Sequence, residues 1–456
     1  MHAAALAALL ALQTPPPGAW APNYEIANAA SAERIEADVR TLAGFGTRHT
    51  LSETESDDRG IGAARRWIKA EFEKISAECG GCLEVIEVSD VVFGQTRIPG
   101  RVEIVNILAI QRGTLDPNRM VMMSGDIDSR VTDPLDYEND SPGANDNASG
   151  MAGVIEAARV LSKRTFPGTI VYAGLSGEEQ GLFGGYIVAR HATENGWNLK
   201  AVLNNDMIGN IAGIDGVIDN TVARVFSEGT RYVETPEEAR ARRFTGGEVD
   251  SPSRNVARYV DRQADKYMTN LDVMMIYRLD RFGRGGHHRP FNEAGYPGVR
   301  IMEAHEHYDR QHQDIRTEDG RHYGDTVEHV DFDFNAKLTN LNMTVLAELA
   351  AAPPIPADVA IEGAVRPSTT LKWKRPSGKA AENLAGYRVW WRLTDENQWS
   401  RSRFVGDVEE FTLENIVIDN YYFGVSAVAK DGAETPVVFP GAAGSFGGYE
   451  ASSSAP

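Results

Sequence analysis

Four acidic knots close apolar runs in this chain. "MMSGDIDSR" ends one run with Asp126 and Asp128 on either side of Ile127, and "SPGANDNASG" sets Asp146 in a Gly/Asn-rich loop. "LSGEEQG" pairs Glu178 with Glu179, and "AVLNNDMIG" leads straight into Asp206. Side chains alternate along an extended chain, so Asp126 and Asp128 point to the same side. Singly, most of these acids have a bland explanation: Asp146 suits a helix cap, and paired acids in a loop are usually solvated. Asp206 is harder to dismiss, because the apolar residues before it will not solvate it and an unpaired buried carboxylate is costly. A pair of divalent cations about 3.5–4 Å apart, sharing one carboxylate, would neutralise the set, activate a water and polarise a carbonyl. Histidines that could complete such a site are frequent further on, in "RGGHHRPF", "EAHEHYDRQHQD" and "GRHYGDTVEHVDFDF".

The elements that must bring these acids together are legible as hydrophobic periodicity. "GIGAARRWIKAEFEKI" repeats Ile61, Ala64, Ile68, Phe72 and Ile75 at helical spacing, and "SGMAGVIEAARVLSKR" does the same with Met151, Val154, Ile155, Ala158 and Leu161. Between and after them stand strand-like runs: "RVEIVNILAI", "NRMVMMSG", "TIVYAGLSG", "KAVLNNDMIG" and "GVRIMEA". Apolar strands alternating with amphipathic helices imply an α/β fold, a mainly parallel mixed sheet flanked by helices. In such sheets ligands bind where the strands end, which is where the acids are. Residues 211–280 read as an irregular, charge-rich insertion whose charge runs are solvated surface.

At 456 residues the chain is long for one core, so we divide it into a catalytic domain over 21–352, a β-rich module over 353–446 and a flexible tail over 447–456. The net charge of −19 excludes nucleic acid and anionic membrane surfaces as natural partners. Residues 1–20 read as a signal or propeptide remnant, since the apolar stretch Ala3 to Leu12 suits a signal sequence and is too short to span a bilayer. Secretion or a periplasmic location is therefore expected, with no membrane span. The two cysteines, Cys79 and Cys82 in "ECGGC", lack a second ligand pair for zinc and suit a local disulfide.

After Pro353, Pro354 and Pro356 the texture changes to short alternating strands, "TTLKWKRP", "AGYRVWWRL", "EFTLENIVID" and "YYFGVSAVAKDG", an all-β sandwich rhythm. This stretch resembles a fibronectin type III module, with Trp373 at the second-strand tryptophan and Leu413 and Tyr421 at the tyrosine-corner region.

The order "SGDIDSR … PGANDNASGMAGVIEAARVL … SGEEQGLFGG … LNNDMIGN … HHRPFNEAGYPGVR … GDTVEHVDF" is similar to the co-catalytic di-zinc exopeptidases, a family of bacterial leucyl aminopeptidases and glutamate carboxypeptidase, over Thr47 to Asp333. The resemblance implies two divalent ions, zinc first and manganese or cobalt as alternatives. It makes Asp146 the bridging ligand, Glu179 and Asp206 ligands to one metal each, and Glu178 the general base for a metal-bridging water. Asp128 becomes the acid that orients a ligand, and His288 a residue of the substrate pocket. For the last ligand, a histidine, the candidates are His312 in "RQHQD" and the displaced His322; we take His312. His305, His307 and His329 are read as surface residues.

Two positions depart from the family pattern. Where the family has a histidine ligand this chain has Asp126, whose oxygen coordinates zinc at nearly the same distance but makes a harder site. Where the family has an acid before the pocket histidine, this chain has His287. The expected function is a secreted metal-dependent exopeptidase acting on peptides or proteins, an aminopeptidase first. The alternatives are a carboxypeptidase or dipeptidase, for which Arg281, Arg284 and Arg289 offer a carboxylate clamp, and a binding protein impaired at Asp126.

Overall fold

A computed structural model describes residues 17–446. The stretch Ala3 to Leu12 and the tail 447–456 lie outside the described residues. Helices α1 (Asn23–Ile26), α2 (Ala32–Gly44) and α3 (Gly60–Glu78) lead into β1 (Leu83–Val92), β2 (Val102–Gln111) and β3 (Asp116–Asp126). The chain continues as α4 (Gly150–Leu161), β4 (Gly168–Leu175), α5 (Phe183–Glu194), β5 (Asn198–Asn205) and β6 (Val222–Ser227). Then come α6 (Pro236–Thr245), α7 (Pro252–Tyr267), β7 (Asp272–Ile276), α8 (His288–Glu293) and β8 (Gly298–Glu303). A hairpin of β9 (Arg316–Glu318) and β10 (Arg321–Tyr323) precedes the long α9 (Phe332–Ala351). Local signals set several of these boundaries: the Ser31 hydroxyl caps α2, and Ser251 followed by Pro252 starts α7.

The eight main strands form one mixed sheet in the order β1-β2-β4-β3-β5-β8-β6-β7, with β4, β3, β5 and β8 parallel. Its central strands are apolar on both faces. Val121 and Met123 pack beneath α4 and α9, while Met120 and Met122 pack towards α5, which is why these strands read as unbroken apolar runs. Because β4, β3 and β5 are adjacent and parallel, their carboxyl ends discharge Glu178, Asp126 and Asp206 onto one edge.

The expected insertion over 211–280 is corrected by the structure: β6 and β7 extend the main sheet, and α7 packs across it. These strands are only 6 and 5 residues long, and β6 carries Arg224 in its middle, so neither shows a clean apolar period. The loop over 214–218 and α6 keep the solvated character expected of the whole stretch, and α6 has no buried residue. Cys79 and Cys82 form a disulfide at the end of α3.

Past α9 the chain forms β11 (Ala357–Glu362), β12 (Thr369–Lys374), β13 (Leu384–Leu393), β14 (Arg401–Gly406), β15 (Glu410–Leu413) and β16 (Tyr421–Ala429). They make two three-stranded antiparallel sheets, β11-β12-β15 and β14-β13-β16, a sandwich-like unit with Trp373, Tyr387, Val389 and Phe423 buried. The unit docks on α7. Arg392 Nη2 reaches both oxygens of Asp250 at 2.7 and 2.9 Å, and the Trp399 indole donates to Asn255 at 3.0 Å. Among the described residues no helix is long and apolar enough to cross a membrane.

Candidate active site

At the end of β3, Gly125 runs so close to the start of α4 that a Cβ would meet the Gly150 backbone at 2.7 Å, so only glycine lets the helix seat there. One residue on, Asp126 is buried with both oxygens engaged: His287 Nδ1 lies 2.5 Å from Oδ1, and the Asn147 amide donates to Oδ2 at 2.7 Å. Asp128 accepts from the Thr50 hydroxyl at 3.0 Å and from the backbone N–H groups of Glu178 and Glu179 at 3.2 and 3.1 Å. It therefore positions the two glutamates, in a turn that Gly177 enters with a φ of +75°. Asp146 is fixed from below, since Asp325 accepts the N–H groups of Asn145 and Asp146 at 2.8 and 2.7 Å.

The structure closes one triad. Ligand atoms of Asp146, Glu179 and His312 all lie within 4.8 Å of one another, with His312 Nε2 2.8 Å from Asp146 Oδ2 and 3.0 Å from Glu179 Oε1. Arg130 braces it, donating to Glu179 Oε2 at 2.8 Å and approaching His312 Nδ1 to 2.7 Å. Burial alone would push all three groups towards neutrality. The carboxylates overcome this and raise His312 to about 9, while His312 in turn holds Asp146 and Glu179 below their ordinary values. A positive charge belongs at this point, and an N/O/O donor set is one that zinc accepts.

Around the triad the remaining acids behave differently. Burial, reinforced by Glu179, Asp206, Asp126 and Asp146, raises Glu178 well above the usual carboxylate range, and its side chain accepts no hydrogen bond from the described residues. Burial pushes Asp126 and Asp206 each to about 8. Asp206 Oδ2 lies 2.6 Å from Arg300 Nη2, but its Oδ1 is buried with no hydrogen-bond partner among the described residues, and so is His287 Nε2. Unpartnered buried acceptors beside a closed ligand triad fit a second cation that Asp206 and Asp146 share.

A model of peptidase family M28 matches residues 106–332. A relative named "Probable zinc metalloprotease" from Leptosphaeria maculans is 43% identical over 411 residues, covering 90% of this chain and 94% of its own. Another of that name from Pyrenophora teres f. teres is 44% identical, covering 90% of this chain and 85% of its own. The chain belongs to peptidase family M28. It is a zinc metallopeptidase, a hydrolase whose substrates are peptides or proteins. The solved LapA aminopeptidase of Legionella pneumophila shares its fold, with a TM-score of 0.52 at 19% identity over 73% of each chain. A leucine aminopeptidase precursor from Bacteroides thetaiotaomicron does so with a TM-score of 0.50 at 15% identity, over 70% of this chain and 97% of that one.

In this M28 peptidase the glutamates and Asp146 and Asp206 open on a cleft of about 700 Å³ together with His312. His312 is the histidine of the triad, whereas His322 is exposed on β10 and bonded to Thr317. The acids that His312 meets are Asp146 and Glu179, with Arg130 on its other nitrogen, and not Asp314 beside it in sequence. His288 is a correction. It does not line this cleft but is fully buried, with Nε2 2.7 Å from the Leu279 carbonyl, because the first turn of α8 turns its ring inward. Asp126 also departs from expectation, since both its oxygens are spoken for. His307 and His329 are half-buried and line a second cleft beside Asp146 instead of standing on the surface.

Sequence reasoning missed Arg300 and Arg130. Arg300 is fully buried and held on its other side by Asp280, with Nη1 3.0 Å from each oxygen. The signal was an arginine in the middle of the apolar run "GVRIME". Among the described residues five arginines line the cleft, Arg97, Arg130, Arg281, Arg284 and Arg289, and the acids there are the four of the metal centre.

Proposed function

We propose that this M28 peptidase is an exopeptidase of short peptides that removes the N-terminal residue. The observation that carries this reading is the lining of the cleft, where the four acids of the metal centre share the wall with five arginines. A free amine suits the acids and a nearby C-terminal carboxylate suits the arginines of the wall. Zinc, when bound, lowers the pKa of water and polarises the scissile carbonyl. Glu178 takes a proton from the attacking water, whose oxygen adds to the carbonyl carbon. As the C–N bond breaks, the same carboxyl gives a proton to the leaving amine. Its raised pKa, set by burial and neighbouring acids, suits a group that must hold and return a proton. Asp128 aims Glu178 and Glu179 by holding their N–H groups, and Arg130 steadies Glu179.

The arginine wall also favours a second reading, a carboxypeptidase or dipeptidase that reads the carboxylate alone. Amino-acid anilides, free dipeptides and N-acylated dipeptides separate the two. We expect free dipeptides to give the highest kcat/KM; faster cleavage of the acylated dipeptide would establish the carboxypeptidase, and equal rates on anilides would deny the wall any role. We further propose export to an oxidising compartment, which the Cys79–Cys82 disulfide supports.

A further inference from the structure

The two departures from the family pattern, Asp126 for a histidine and His287 for an acid, lie 161 residues apart and meet in the fold. His287 Nδ1 is 2.5 Å from Asp126 Oδ1, and neither residue is more than 2% exposed. One change answers the other: the imidazole is kept, but it arrives from the start of α8 instead of the end of β3. Helix α5 leaves room for it, since a Cβ on Gly185 would come within 2.7 Å of the His287 Cδ2. The ring is held from one side only. Asp126 takes Nδ1, while Nε2 is buried without a partner among the described residues, as is Asp206 Oδ1.

We infer that His287 and Asp126 have exchanged roles, so that His287 Nε2 is the nitrogen ligand of the metal shared by Asp206 and Asp146, and Asp126 is the carboxylate that orients it. A carboxylate on Nδ1–H fixes the tautomer that leaves the Nε2 lone pair free, the usual arrangement behind a metal-bound histidine. Asp126 is poorly placed to coordinate in its own right, because Asn147 holds its second oxygen at 2.7 Å. Arg300 completes the pattern by binding the Asp206 oxygen that is not free. The inference rests on the two-metal reading of the site.

The test measures zinc per chain and imidazoles per zinc, by elemental analysis and X-ray absorption, on the zinc-loaded full chain. The wild type should hold two zincs, and His287→Gln one. Asp126→Asn should weaken the second zinc about 10–100-fold, the usual effect of removing an orienting partner. The reciprocal double variant Asp126→His with His287→Asp should regain two zincs and the wild-type imidazole count. That variant decides the matter if His287→Gln loses its native circular dichroism. Two zincs with an unchanged imidazole shell in folded His287→Gln, or a double variant that fails to regain the second zinc, overturns the exchange while leaving the two-metal reading intact. A wild type with fewer than two zincs overturns both.

Discussion

Two regions of the molecule bury charge and answer it in opposite ways. Where the C-terminal unit meets α7, Asp250 sits between Arg258 and Arg392, with three N–O contacts of 2.7 to 2.9 Å shared over both its oxygens. Trp399 and Tyr259 add hydrogen bonds across the same seam. At the edge of the main sheet, four acids line a cleft; Asp206 Oδ1 and His287 Nε2 have no partner among the described residues, and Glu178 accepts no hydrogen bond from them. Every carboxylate oxygen of Asp250 is paired within the chain, so that charge fixes a geometry. The acids of the cleft are answered only in part, so their remaining demand is met from outside, by metal and substrate.

The sharpest way to break this contrast is to remove Glu178 chemically and nothing else. Glu178→Gln should lower kcat about 10³-fold, within the usual range for a general acid–base group, and leave zinc content and thermal stability unchanged. Turnover near the wild-type rate would take Glu178 out of the mechanism. At the other pole, Asp250→Ala leaves two buried guanidinium groups without their counter-ion, so we expect a loss of about 3–5 kcal/mol in urea unfolding. The kcat/KM of the surviving folded protein should stay at the wild-type value, because Asp250 does not touch the cleft. A cleft variant and a seam variant with the same phenotype would erase the distinction.

Stripping the metal sharpens the contrast through pH. Burial raises Asp126 and Asp206 to about 8, above the roughly 4 of an unfolded aspartate. The metal-free native state therefore holds protons that the unfolded chain has released. That contribution is full below about pH 4 and is lost as the pH rises to about 8. The Tm of chelated protein should fall across this window, and zinc should restore it most at the alkaline end, since it replaces the missing protons. A chelated protein whose Tm is flat from pH 4 to 8 would show that the cleft acids are paired after all.

How much of this was legible in the sequence follows from where the interactions lie. The acids at strand ends could be read because parallel strands buried on both faces leave unbroken apolar runs, and Asp126, Glu178 and Asp206 sit just beyond them. The triad partner His312 was reachable through its motif, although its brace, Arg130, lies 182 residues away and left no local mark. β6 and β7 escaped because both are short, and neither the arginine inside β6 nor the half-exposed edge strand β7 leaves a clean apolar period. His288 was misplaced for a related reason: its role depends on which way the first turn of α8 faces, and only packing decides that. The exchange of Asp126 and His287 was present as two anomalies. Seeing them as one contact needed the fold.

The smallest expected effect lies away from both buried-charge centres, at the Cys79–Cys82 disulfide. It closes a turn with a sequence separation of 3, so the unfolded-chain entropy it removes is small, under about 2 kcal/mol by the loop-closure relation. The Ser76 hydroxyl donates to the Leu83 carbonyl at 2.7 Å and the Gly81 N–H to the Ser76 carbonyl at 2.7 Å, bonds that hold the turn without the bridge. Replacing both cysteines by serine should therefore shift Tm by a few degrees at most and leave kcat/KM and zinc content at wild-type values. A loss as large as that of Asp250→Ala would mean that the end of α3, and not the charged seam, limits the stability of the molecule.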